Sequence, residues 1–171
     1  MTGTPERLLQ EVGSLPPTRF AVVDGAMFDD LPKALGALRL DHRPLYFEGA
    51  DIDTIKAGPF LVRTDSYPDA VQLLTLIGER RTGVFWSSPN GMDDLYRHLR
   101  TLNLVQIALV DAPRNAADYQ TVLFRHADPN VLAAMIAVMD AGQRQELLGR
   151  SPALVYSLGA VGGVRSLRAG G

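Results

Sequence analysis

Residues 19–26 read RFAVVDGA: Phe20 to Val23 form an unbroken apolar run that ends at Asp24-Gly25. A run without polar alternation suits a buried strand, and Asp-Gly suits the turn it enters. Before it, Thr4-Pro5 has the order of an N-cap followed by a proline in the first helical turn. Leu8, Leu9 and Val12 then repeat at helical spacing, until Leu15-Pro16-Pro17 stops the helix. After it, Asp29 or Asp30 can cap a helix carrying Leu31, Ala34, Leu35 and Leu38 on one face.

The same alternation of strand and helix continues. RPLYF (43–47) and GPFLVRT (58–64) read as strands, with one helical turn expected in the polar piece EGADIDTIKA between them. Pro59 suits the start of its strand, where a missing N–H does least harm. Tyr67-Pro68 opens a helix with Ala70, Leu73, Leu74 and Ile77 on its apolar side. Gly83 to Trp86 is a short strand, and Asn90 or Asp93 is expected to cap a helix striped by Met92, Leu95, Leu99 and Leu102. NLVQIALV (103–110) and YQTVLFR (119–125) are joined by DAPRNAAD, which is too short for a helical crossover and implies an antiparallel hairpin. Helices are expected over 129–139 and 141–149, the second capped by Asp140 and ended by Gly149. The apolar piece ALVYSL and the glycine-rich GAVGGVRSLRAGG follow, and that tail is expected to be largely disordered.

The fold class is therefore α/β, with α+β as the alternative: a mixed β-sheet covered by helices, with a small helical C-terminal part. One domain over residues 1–152 and a short, partly disordered extension over 153–171 are expected. The 171 residues carry a formal net charge of −2 with mixed signs along the chain. No basic stripe marks a nucleic-acid partner. Cysteine is absent, which removes disulfides and sulfur-ligated metals. MTGTPERLLQEVGSLPP lacks the basic and apolar regions of a secretory signal. The longest apolar run, VLAAMIAVM, has about nine residues against the roughly 20 that span a bilayer. A cytoplasmic protein without membrane insertion is expected, and no cofactor is implied.

The candidate chemistry is sparse. FWSSPNG has no glycine two residues before either serine, so it is not a nucleophile elbow, and a turn from Ser87-Ser88 to Gly91 is the simpler reading. His42, His98 and His126 have no spacing that puts two imidazoles on one helical face. His42 is expected to be solvated, and His98 to be a hydrogen-bonded histidine at the edge of its helix stripe. Asp24 would repel a phosphate and reads as a turn or cap residue. In VLFRHADPNVL (122–132), Asp128-Pro129 has the order of N-cap and first helical residue, and Arg125 can reach Asp128 or a neighbouring carbonyl. That structural reading is preferred to a His126–Asp128 catalytic pair, since the motif supplies no nucleophile. The helix after it is apolar all round, Val131 to Met139. Either it is wedged between the sheet and the last helices, or part of its surface, with the flexible Met135 and Met139, meets a partner.

FAVVDGAMFDDL, PLYF, GPFLVR, GVFWSSP, DDLYRHLRTLNLVQI, VLFRHADPNVLAAMIAVMD and QRQELLGRSP, in that order, resemble the bacterial type VI secretion adaptors, the family labelled domain of unknown function 4123. The resemblance runs from about Arg19 to Pro152. Asp24 and Gly25 match the family's "DGA" turn, Pro59 its "gPwLv" strand, Leu99 and Arg100 its "hLR" helix, and Arg125, Asp128 and Pro129 its "fRfyDPrvL" segment. His126-Ala127 stand where the family prefers two aromatics, and Asn130 where it prefers arginine. The resemblance implies an adaptor or chaperone without catalytic residues, which binds a toxic effector and helps load it onto the secretion spike protein. Arg125, His126, Asn130, Met135 and Met139 are then the expected partner-binding residues. Many relatives are longer at the carboxy terminus. A small-molecule hydrolase or transferase using His126 and Asp128, and an immunity-like binding module, are the alternatives.

Overall fold

In the computed structural model, which describes residues 4–109, 115 and 118–170, the run at 19–26 is a strand, β1 (Arg19–Asp24), inside a six-stranded sheet. β3 (Pro59–Arg63) and β4 (Val84–Ser87) flank it. β2 (His42–Pro44) lies outside β3, and β7 (Ala153–Ser157) followed by β8 (Val164–Arg168) lies beyond β4. Every neighbouring pair in this sheet is antiparallel. The chain is an α/β protein, and helices cover both faces of the sheet.

The burial of β1 explains its unbroken apolar run. Phe20 and Val22 point into one core together with Leu61, Val84, Trp86, Leu154 and Tyr156. Against that face pack α5 (Met92–Thr101), through Met92, Leu95 and Leu99, then α6 (Pro129–Val138) through Leu132, and α7 (Ala141–Leu148) through Leu147 and Leu148. Ala21 and Val23 point into a second core with Phe60, Val62, Phe85 and Val155. It is closed by α1 (Thr4–Ser14), α2 (Leu31–Ala37) and α4 (Tyr67–Ile77). Antiparallel sheets commonly leave one face wet, but here both faces are dry and polar alternation disappears from the central strands. Among the described residues no helix is long and apolar enough to cross a membrane.

The helix starts follow from their caps. Asp30 accepts from the Lys33 N–H at 3.0 Å and begins α2. Asp51 does the same for α3 (Ile52–Ala57), the single helical turn expected between β2 and β3. Ser66 with Asp69, and Asp140 with Gln143, make reciprocal capping boxes on α4 and α7. α5 is the exception. Gly91 precedes it without a side-chain cap, and neither Asn90 nor Asp93 fills the expected role, Asp93 pairing with Arg43 instead. The capping side chain expected of Thr4 lies outside the described residues.

Three further expectations need correction. The strand read over 43–47 is limited to His42–Pro44: Leu45 still donates to the Pro59 carbonyl at 2.8 Å, but the chain then leaves the sheet and leaves Phe47 exposed. His42, expected in water, is half-buried, its Nδ1 2.8 Å from the Leu40 carbonyl. The chain after residue 152, expected to be partly disordered, supplies β7 and β8, and β7 is an interior strand with Leu154 and Val155 fully buried. Its glycines make a turn: Gly159 and Gly163 adopt positive φ around the short helix α8 (Gly159–Gly162), and Leu158 donates to the Gly163 carbonyl at 2.9 Å.

The remaining strands, β5 (Leu104–Ala108) and β6 (Tyr119–Leu123), form the expected antiparallel hairpin as a separate two-stranded sheet. Most of the turn expected over 111–118 lies outside the described residues.

Gly25 is where backbone meets backbone. Its N–H donates to the Gly58 carbonyl at 2.8 Å, and a Cβ at this position would sit 2.0 Å from the Lys56 carbonyl oxygen. A backbone carbonyl cannot rotate away as a side chain can. Gly25→Ala should therefore lower stability by about 2 kcal/mol or more, read as a lower urea midpoint at unchanged slope.

Candidate functional site

The sequence motifs converge on one place, the root of the β5–β6 hairpin. Arg125, two residues past β6, donates through Nη2 to Asp24 Oδ2 at 2.9 Å, across 101 residues of chain. The Asp24 side chain is 8 % exposed and that of Arg125 49 %. The second carboxylate near Arg125, Asp128, lies 3.9 Å away, so Asp24 is the principal partner and Asp128 the lesser one. Asp24 Oδ1 also accepts from the Ala26 N–H at 3.0 Å, which makes it the cap of the turn at Gly25–Met27. Asp128 caps α6 as its sequence implies, accepting from the Asn130 N–H at 2.9 Å, with Pro129 in the first turn.

Thr82 adds a second tie. Its hydroxyl accepts from the Asp24 N–H at 2.7 Å and donates to the Ala127 carbonyl at 3.4 Å, joining the same two segments. Around these groups lies a cavity of about 320 Å³, lined by Asp24, Tyr46, Pro59, Phe124, Arg125 and His126 among others. Burial, and then the charge of Asp24, hold the Tyr46 phenol above its usual range.

His126 does not face a partner. It is 1 % exposed, and its Nε2 lies 3.1 Å from Asn103 Oδ1. Asn103 spends its amide N–H on the Leu45 carbonyl at 2.8 Å, which turns its oxygen toward the imidazole. Nε2 therefore carries the hydrogen, and Nδ1 is a bare acceptor, buried without a hydrogen-bond partner. Burial, with a smaller push from His98, lowers the His126 pKa to about 4. The ring packs edge-on against Phe124, so at this position histidine fills aromatic space in the core. His126 and Asp128 are engaged with different groups, and the pairing that a hydrolase would need is not formed.

Of the other expected contact residues, Asn130 is exposed at the start of α6. Met135 and Met139 are half-buried against the core. The helix is not wedged on all sides as one reading had it: Val138 is 78 % exposed. Arg100 is held over the Tyr96 ring, 5.5 Å from its centroid, and pairs with Glu48 at 3.6 Å. His98 is the structural histidine expected, its Nε2 2.8 Å from the Leu147 carbonyl.

The larger surface feature is the hairpin itself. Leu104, Ile107, Leu109, Tyr119 and Leu123 are 41–59 % exposed. The register pairs Leu104 with Leu123 and Ala108 with Tyr119, which puts apolar groups on one face. Ile107 and Leu109 occupy the other. Single residues at the root hold it: Phe124 donates to the Asn103 carbonyl at 2.9 Å, and Val105 packs on the core. Asn103, Thr82 and Tyr46 were not singled out from sequence, since each acts only through distant partners. The paired apolar residues of the hairpin were visible, but not their exposure.

The family described as a domain of unknown function, DUF4123, matches residues 19–146. The chain belongs to that family. No curated protein and no solved structure matches it. The DUF4123 match takes in the whole clasp from Asp24 to Asp128 and the hairpin, and it stops within α7, before β7 and β8.

Two tests address the root of the hairpin. Arg125→Leu strands the buried Asp24 carboxylate and should cost about 1–3 kcal/mol in chemical denaturation. His126 has its folded-state pKa below its ordinary value of 6.5, so its neutral form is favoured on folding. The stability linked to it is fully present above pH 6.5 and is lost as pH falls toward about 4, at about 1.4 kcal/mol per pH unit. His126→Gln should flatten the stability profile across that window relative to the parent, and parallel profiles would contradict the assignment.

Proposed function

We propose that this chain is an adaptor or chaperone that binds a toxic effector and promotes its loading onto the spike protein of a type VI secretion apparatus. The observation that supports the reading is the β5–β6 hairpin, which holds five large apolar side chains outside both cores. A two-stranded sheet is marginal alone, and this one turns most of its large apolar residues to solvent, with Val105 packed on the core. Such a surface suits partner docking through side chains or by strand addition. The order of motifs resembling the secretion adaptors supplies the class of partner, and the clasp between Asp24 and Arg125 fixes the angle at which the hairpin is presented.

The half-buried Met135 and Met139 and the exposed Asn130 on α6 extend the docking surface in this proposal. Arg125 contributes from the root, with half of its side chain in solvent. The buried His126 acts on binding only through the packing it supports.

Co-expression with candidate toxin and secretion spike proteins should yield a co-purifying complex. Ile107→Asp combined with Tyr119→Asp should abolish that complex with stability changed by less than about 0.5 kcal/mol, as expected for exposed positions. A complex that survives the double substitution would sink the hairpin as the docking surface. Protection of cells from the toxin without its export would favour an immunity-like module instead.

A further inference from the structure

A second concave surface is built from the segments that follow the hairpin. A groove of about 500 Å³ runs between α6 and β8, with Ala133, Ile136 and Ala137 on one wall and Tyr156 and Leu158 on another. Arg144 from α7 and Arg165 and Arg168 from β8 complete it. None of these three arginines has an ion-pair partner among the described residues. Arg144 Nε is buried without a hydrogen-bond acceptor. A hidden guanidinium N–H is costly unless an acceptor arrives. The chain as a whole is net negative, so three unpaired arginines on one groove run against the global sign.

The strand beside the groove adds a second constraint. β8 is the last strand of the sheet, so one of its edges meets no strand among the described residues. That edge presents alternating N–H and C=O groups. Leu167 turns into the core on the α6 side, Arg165 shares its face and Arg168 stands on the other, and both arginines are exposed.

We propose that this groove is a docking site for an extended segment of a partner protein in which acidic and apolar residues alternate. The segment adds to β8 as a seventh strand. Its carboxylates, all on the face toward α6 and α7, pair with Arg144 and Arg165, their stems lying over Ala133 and Ile136, and its apolar side chains take the opposite face, on the side of Arg168. This assignment supplies an acceptor for the buried Arg144 Nε, which the domain leaves without one. It goes beyond the adaptor reading, because the surface is separate from the hairpin and Arg165 and Arg168 lie outside the residues that match DUF4123.

The test is fluorescence anisotropy on the full chain with a labelled peptide of alternating glutamate and valine, about eight residues long to match a strand. It should bind, and more weakly as salt rises. Arg165→Glu should weaken binding roughly tenfold or more, with the circular dichroism spectrum unchanged, since the side chain is exposed. A peptide with lysine for glutamate, and one N-methylated at alternate residues, should not bind. Undiminished binding to the charge-reversed variant, or to the N-methylated peptide, would overturn the proposal. A single-stranded DNA oligonucleotide bound as tightly as the peptide would overturn it in favour of a general anion surface. The Ile107→Asp, Tyr119→Asp chain should bind the peptide as the parent does, which keeps this result independent of the adaptor reading. A loss there would place the peptide on the hairpin and overturn the groove.

Discussion

The ion pair between Arg125 and Asp24 ties together segments 101 residues apart in sequence. One partner ends the central strand of the sheet and the other stands between the hairpin and α6. A half-exposed arginine against a buried carboxylate avoids part of the desolvation that burying both ions would demand. The carboxylate also caps its own turn and Thr82 bridges the same two segments, so the polar groups at this junction satisfy one another. The hairpin's direction, the start of α6 at Asp128 and the close approach of Gly25 to the α3–β3 connection all depend on this junction.

The sheet makes a complementary demand. Its strands are antiparallel, yet helices dry both faces, so side chains on successive positions of β1 enter different cores. A one-residue slip in such a strand would exchange the two cores' contents without exposing an apolar group. Register therefore rests on shape, and on fixed points at the strand's ends: Arg19 donating its N–H to Asp65, and Gly25 donating to Gly58.

Much of this was legible in the sequence because it depends on neighbours in the chain. The caps at Asp30, Asp128 and Asp140 are local chemistry, and so is the apolar run of β1. The hairpin followed from a connection too short to cross over. What was not legible depends on distant partners. Arg125 was read toward Asp128, three residues away, and its stronger partner is Asp24. His126 looked like a surface residue because nothing nearby in sequence announces Asn103 or the burial around it. The glycines after residue 158 looked like freedom and are a turn, which folds β8 back onto β7 while β7 pairs on its other side with β4. At the candidate site Asp24, Arg125 and Asp128 tie segments of the chain together and His126 lies in the core. The exposed surface they hold, from Leu104 to Leu123, was hidden because apolar strand residues look alike whether they enter a core or leave it.

The position of β7 also bears on how the chain is made. β4 is buried on both faces and needs a partner on each side, yet that second partner is encoded about 65 residues later, after both helices that follow the hairpin. During synthesis from the amino terminus the sheet stands with an unpaired, apolar inner edge until β7 has emerged. Until then the growing protein exposes the kind of strand edge that nascent-chain chaperones shield, and β7 and β8 complete the sheet.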